Sequence, residues 1–123
     1  MLLDATVRDV LRAEGSATFV TNGPDGPHLV ATWQSYLDIL DDETLAFPAG
    51  GYRETEENLA RDAKVQMVIA DKHGPSEKAI GFRLTGTAEV QSGQALHERM
   101  KAKYPWCRGV VVMHVAKVER ILG

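Results

Sequence analysis

A dense turn at residues 23–27, with the sequence GPDGP, constrains the fold more than any other feature. Glycine and proline at this density interrupt regular structure, so one element has to end before the turn and another begin after it. The preceding segment, residues 16–22, places Ala17, Phe19 and Thr21 on one side, as in a strand. Residues 28–37, HLVATWQSYL, follow as a second strand. The two segments predict the start of an antiparallel meander.

The rest of the chain alternates between short strand-like and helix-like segments. Four further strands are predicted at residues 44–48, 65–70, 80–90 and 109–118, with a bulge or bend at Gly86. Short helices are predicted at residues 6–14 with Thr6 as the cap, after the cap residue Thr55, and at residues 94–103. Six strands and three short helices predict one mainly β domain over residues 1–123. Length and pattern alone leave both a partly open barrel and a sandwich as solutions.

Composition and charge exclude several classes of function. The 123 residues are 44% hydrophobic and 25% charged, with a formal net charge of −3, which gives no electrostatic footprint for nucleic acid. No apolar run approaches the roughly 20 residues that a membrane span needs. The first residues, MLLDATVRDV, do not form a secretory signal, and the single cysteine cannot make an intrachain disulfide. These features predict a cytoplasmic protein.

The segment from residue 26 to residue 55 carries the strongest functional signal. Its first strand interleaves polar Thr32 and Gln34 with aromatic Trp33 and Tyr36, whereas a strand needed only for the core alternates more simply. The pair Gly50–Gly51 then leads into a helix start, where a close backbone approach and free N–H groups attract anions. The pattern predicts a site for a planar, phosphorylated cofactor. An ordinary turn before a capped helix, with aromatic residues in the core, is the alternative.

Two motifs give the chain a family resemblance. HLVATWQSYL at residues 28–37 and GGYRETEENLARD at residues 50–62 resemble the small bacterial FMN-binding proteins of the split β-barrel flavin family. Pyridoxamine-phosphate-oxidase-like proteins share that barrel, and the similarity covers nearly the whole chain. The resemblance implies a six-stranded Greek-key split β-barrel with short helices, a non-covalent FMN, and a homodimer with the flavins near the interface. The implied activity is electron transfer, and a redox partner protein would fit this activity.

The resemblance also implies a set of cofactor-binding residues. Phosphate contacts are expected from Thr32 and Thr55. The residues expected to line or flank the ring are Trp33, Gln34, Ser35, Tyr36 and Trp106. The loop beside the ring and phosphate matches Pro48, Ala49, Gly50 and Gly51, and Leu122 matches a near-terminal residue that reaches toward the partner's flavin.

One position departs from the family pattern. Relatives tend to place a lysine beside the phosphate where this chain has Glu54, and a carboxylate there would repel a dianionic phosphate. Arg53, one residue earlier, is expected to supply the positive charge instead, because a guanidinium suits a bidentate phosphate contact.

No catalytic residue can be named from the sequence. The four histidines lack the spacing of metal ligands, and Ser-His-Asp, P-loop and G-x-G-x-x-G patterns are absent. Cys107 is interpreted as a packing residue. An NAD(P)H-dependent flavin reductase, or a split barrel that binds haem or a deazaflavin, therefore stays open beside the electron carrier.

Overall fold

The computed structural model describes residues 1–123 and shows one antiparallel sheet with three α-helices. Its strands are β1 (Ser16–Gly23), β2 (Gly26–Trp33), β3 (Asp38–Asp41), β4 (Thr44–Ala49), β5 (Lys64–Asp71), β6 (Ile80–Gln91) and β7 (Gly109–Leu122). The helices are α1 (Ala5–Arg12), α2 (Arg53–Arg61) and α3 (Ala95–Lys103). The sheet order is β2-β1-β5-β6-β7-β4-β3, and the two end strands do not pair, so the sheet is not closed. The mainly β prediction is confirmed, whereas the predicted count of six strands is wrong.

The seventh strand arises because the segment predicted as one strand breaks after Trp33. A 3₁₀ turn, Gln34–Tyr36, follows β2, and the chain then begins β3. The Gln34 amide is almost fully buried, and its Nε2 donates to the carbonyl oxygens of Val10 (2.9 Å) and Ala13 (3.0 Å). Its Oε1 accepts from the Ala70 backbone N–H at 2.9 Å. These bonds satisfy a polar side chain inside the protein and tie the end of β2 to α1 and β5.

Both helix caps predicted from threonines are wrong. Asp4 caps α1, with its Oδ1 accepting from the Val7 backbone N–H at 3.0 Å. Helix α2 begins at Arg53, directly after Tyr52, whose φ of 57° lies in the left-handed region, and no side chain caps it. Thr55 is therefore the third residue inside the helix, where its side chain is buried.

The core packs side chains of the strands against α1 and α2. Its largest fully buried side chains include Phe19, Phe47 and Met67. The predicted irregularity at Gly86 is confirmed, because the β6–β7 register shifts there, and a Cβ at this position would clash with the His114 carbonyl oxygen. None of the three helices has the length and apolar character required to span a membrane.

Pro48 lies within β4 although it has no N–H group to donate. Pairing between β3 and β4 ends at Asp38 and Ala46, so Pro48 has a neighbouring strand only on the β7 side. The N–H group that Pro48 lacks therefore costs no hydrogen bond between β3 and β4.

Candidate functional site

A cleft of about 430 Å³ lies between the C-terminal half of β2 and the segment that connects β4 to α2. The residues that line it are Ser16, Ala31, Thr32, Trp33, Tyr36, Pro48, Gly50, Gly51, Tyr52 and Trp106. Seven of the thirteen residues predicted to bind or flank the cofactor lie here together: Thr32, Trp33, Tyr36, Pro48, Gly50, Gly51 and Trp106. The sheet thus brings both quoted motifs and the Trp106 region to a single site.

Two indoles stand at the walls of this cleft and remain half exposed. Trp33 is 52% exposed and Trp106 is 53% exposed. The Trp106 ring packs with Tyr36 and Tyr104, at centroid distances of 5.9 and 5.7 Å. A Cβ on Gly50 would lie 3.1 Å from Cε3 of Trp106, so a glycine lets the indole rest on the backbone. These surfaces offer flat apolar area to a planar ligand.

Tyr52 joins the two sides of the cleft, and its role was missed by the sequence analysis. Its hydroxyl donates to the carbonyl oxygen of Ala31 on β2, and its ring packs edge-on against Phe19 at 5.4 Å. Burial raises the pKa of the Tyr52 phenol, while a hydrogen bond with the Thr32 side chain acts in the opposite direction. The phenol therefore stays protonated at neutral pH and acts as a donor. No local sequence signal marks a tyrosine that adopts the left-handed conformation.

Arg108 binds the loop that contains Gly50 and Gly51. Its Nε and Nη2 both donate to the Gly51 carbonyl oxygen, at 2.9 and 2.6 Å, and Nη1 donates to Oε1 of Glu56 at 2.8 Å. Its backbone N–H also donates to the Ala49 carbonyl oxygen at 2.8 Å. Because the peptide between Gly51 and Tyr52 is trans and planar, the Tyr52 N–H points to the side opposite Arg108. The guanidinium thus fixes the orientation of this peptide.

The start of α2 carries features that suit an anion. The helix has no capping side chain, so N–H groups of its first turn lack an acceptor from a cap residue. Thr55 is fully buried, and its Oγ1 is the one buried side-chain polar atom without a hydrogen-bond partner in the protein. An unpartnered buried hydroxyl costs about 1–3 kcal/mol, and helix N-termini attract negative groups. The residues present therefore fit a phosphate group.

The remaining predicted residues have other environments. The Gln34 amide is bonded to α1 and β5, Ser35 is exposed in the 3₁₀ turn, and Ala49 lies in the core. Leu122 lies at the end of β7, where it pairs with Gly81 and is half exposed. Arg53 is exposed at the start of α2. No ligand contact of these residues follows from their positions, so their cofactor-binding roles stay predictions.

Titratable groups other than tyrosine do not line the cleft. Tyr36 and Tyr52 are its only ionisable residues, and neither a carboxylate nor an imidazole belongs to its walls. Glu54 lies outside, with its Oε2 3.3 Å from Nδ1 of His28. The cleft can bind and shield a planar group, but it offers no conventional general base.

Sequence comparison assigns this architecture to a known family. The family described as pyridoxamine 5'-phosphate oxidase matches residues 3–121. The chain belongs to the pyridoxamine 5'-phosphate oxidase family. The family resemblance found in the sequence is thereby confirmed.

Three individual proteins are similar to this chain over most of its length. A curated relative from Nitratidesulfovibrio vulgaris (strain Miyazaki F), named FMN-binding protein, is 37% identical over 126 residues, which cover 98% of this chain and 100% of the relative. A variant of HupZ from Group A Streptococcus superposes with a TM-score of 0.82 at 20% identity, covering 98% of this chain and 100% of HupZ. An FMN-binding protein from Syntrophomonas wolfei has a TM-score of 0.69 at 17% identity, covering 94% and 84%. At these identities the two structures show a shared fold.

Proposed function

We propose that the protein binds FMN non-covalently in the cleft and carries electrons as a homodimer. The observation that carries this proposal is the position of an uncapped helix start, with the unpartnered Thr55 hydroxyl, directly after a loop that lines an indole-walled cleft. The relative named FMN-binding protein, 37% identical over almost the full length of both chains, supports FMN as the cofactor.

Each part of the site has a distinct task in this proposal. Trp33 and Trp106 flank the ring and exclude water from part of it, while the backbone of Gly50 and Gly51 allows a close approach. The first turn of α2 and the Thr55 hydroxyl receive the phosphate. Bound FMN would supply the redox chemistry, and the protein would set its orientation and electrostatic surroundings.

Electron transfer is favoured over the oxidation of a dedicated substrate by the chemistry of the lining residues. Substrate oxidation by a flavin often needs a group that takes a proton, and the two tyrosines of the cleft are poor bases. The raised pKa of Tyr52 keeps this phenol protonated at neutral pH. Without such a base, the site is better suited to pass electrons than to activate a C–H bond.

A second candidate, an NAD(P)H-dependent flavin reductase, is favoured by the half exposure of both indoles. Trp33 and Trp106 leave the cleft open to solvent, so a nicotinamide could approach the ring. Rapid reduction by NADH or NADPH in stopped-flow absorbance would support the reductase. Reduction by dithionite or a protein donor alone would support the carrier. Mass spectrometry of the released ligand separates both from a haem or deazaflavin protein.

The homodimer is supported by an exposed apolar face of the sheet that continues into the cleft. Leu29 is 66% exposed and Val68 is 39% exposed, and strand register places both on the same face as Ala31 and Trp33. Ala31 and Trp33 also line the cleft, so a second copy on this face would cover part of the cleft mouth. A contiguous exposed apolar patch marks an interaction surface. Size-exclusion chromatography with light scattering tests the dimer, and Leu29→Asp is expected to shift the mass toward the monomer.

The absorption spectrum of the purified protein tests cofactor binding. We expect the protein to show flavin absorption bands in the visible region, either as it is purified or after it is mixed with FMN and freed of unbound ligand. Quenching of FMN fluorescence gives the dissociation constant. A colourless protein that takes up no added FMN would contradict the proposal.

A further inference from the structure

A histidine that does not line the cleft, His97, is buried on α3 and uses both ring nitrogens in hydrogen bonds to the backbone. Its Nδ1 accepts from the Gly93 backbone N–H at 2.9 Å, and its Nε2 lies 3.2 Å from the Cys107 carbonyl oxygen. A ring nitrogen that accepts carries no proton, so the imidazole is neutral and Nε2 donates to Cys107. His97 therefore joins the start of α3 to the segment that leads into β7.

The carbonyl group that His97 binds belongs to a peptide group that is held at both ends. The N–H group of the same peptide, that of Arg108, donates to the Ala49 carbonyl oxygen at 2.8 Å. The peptide is trans and planar, so its C=O and N–H groups point in opposite directions, one toward α3 and the other toward the end of β4. His97 thus fixes the plane of this peptide from the α3 side.

The peptide group between residues 107 and 108 connects two side chains that form the site. Trp106 comes before it, and this indole packs so closely on Gly50 that a Cβ there would lie 3.1 Å from Cε3 of the ring. Arg108 comes after it and donates twice to the Gly51 carbonyl oxygen. A rotation of this peptide would therefore move the indole and the guanidinium together.

We propose that His97 is a positioning residue, whose bond to the Cys107 carbonyl oxygen holds Trp106 against Gly50 and so shapes the cleft for a planar ring. The inference rests on the proposed function only in naming a flavin as the ligand. The bond to Gly93 has a different role, because it fixes the bend before α3, where Gly93 has a φ of 74°. The two ring nitrogens therefore serve separate purposes, and substitutions can separate them.

Two conservative substitutions test the two bonds one at a time. Glutamine places an amide nitrogen near the Nε2 position and can keep the bond to Cys107, whereas asparagine places an amide oxygen near the Nδ1 position and can keep only the bond to Gly93. A Trp33→Phe background leaves Trp106 as the only tryptophan. In the flavin-free protein, we expect His97→Asn to shift the Trp106 emission maximum and to raise its quenching by acrylamide. His97→Gln should keep the values of the parent protein.

Fluorescence titration with FMN and with riboflavin, in proteins that retain Trp33, gives the second readout. We expect both affinities to fall about fivefold in His97→Asn, as for the loss of one neutral hydrogen bond, and to stay within about twofold in His97→Gln. Riboflavin has no phosphate, so an equal loss for both ligands assigns the effect to the ring. The control Thr21→Val loses a buried hydrogen bond to Asn58 outside the cleft and should keep both affinities.

Equal behaviour of the two His97 variants, or an unchanged Trp106 environment in His97→Asn, would overturn the inference. The wild type offers a test that needs no stable variant, because NMR of the imidazole nitrogens should show a protonated Nε2 and an unprotonated Nδ1 on His97. The opposite tautomer would also overturn it. If no flavin binds while Trp106 responds as expected, the proposed function fails and the positioning role of His97 stands.

Discussion

Replacing Thr55 with valine tests the reasoning about the phosphate site most directly. The Thr55 side chain is fully buried, and its Oγ1 has no partner within the protein. Valine keeps the shape and removes the hydroxyl, and both residues have similar helix propensity. Because an unsatisfied buried hydroxyl costs about 1–3 kcal/mol, the flavin-free variant should be more stable than the wild type by about 1–2 kcal/mol.

The same substitution should weaken FMN binding, because the hydroxyl is expected to donate to the phosphate. A hydrogen bond to a charged group contributes about 1.5–3 kcal/mol, so affinity should fall about tenfold or more. Riboflavin has no phosphate, and its affinity should be unchanged. At an FMN concentration 100 times the wild-type dissociation constant, the ligand stabilises the wild type by about 2.7 kcal/mol but a tenfold weaker site by only about 1.4 kcal/mol.

Urea unfolding with and without FMN measures both effects on one sample. The matched control is Thr21→Val, because the buried Thr21 hydroxyl accepts from Nδ2 of Asn58 at 3.1 Å. Loss of that bond should destabilise the flavin-free protein by about 1 kcal/mol and leave the ratio of FMN to riboflavin affinity unchanged. The reasoning is refuted if Thr55→Val destabilises the flavin-free protein and binds FMN as tightly as the wild type.

Three further predictions concern the walls of the cleft. Gly50→Ala places a Cβ 3.1 Å from the Trp106 ring, so the indole must move, and fluorescence titration should show flavin affinity reduced about tenfold. Unchanged affinity and unchanged Trp emission would contradict the close packing. In Arg108→Lys, the lysine cannot make both hydrogen bonds to Gly51 and the one to Glu56. FMN affinity should therefore fall, and the flavin reduction potential, measured by dye equilibration, should shift. The control Arg99→Lys should change neither quantity. Because the folded-state pKa of the Tyr52 phenol is raised, its contribution to stability is fully present below its usual pKa near 10 and is lost as pH rises through the folded value. Alkaline unfolding curves should therefore lose part of their pH dependence in Tyr52→Phe, and an identical dependence would refute this.

The sequence carried information about the site wherever residues close in the chain form it. Both edges of the cleft were identified from the sequence: one by the motif at residues 28–37 and the other by the glycine pair at residues 50–51. Local turn and strand patterns determine where these two segments lie. Trp106 followed from the family resemblance. Arg108 could not be found this way, since it lies 57 residues from Gly51 and meets it through the pairing of Ala49 with Gly109.

The mainly β class and most of the strands were determined by the sequence itself, because alternation and turn residues act over a few neighbouring positions. Tertiary structure decided the break after Trp33, since the Gln34 amide finds acceptors 24 and 21 residues away, in Val10 and Ala13. It also decided that Thr55 lies inside α2 with a buried, unpartnered hydroxyl rather than at its cap. Whether a polar group is satisfied depends on atoms that only the folded chain brings together.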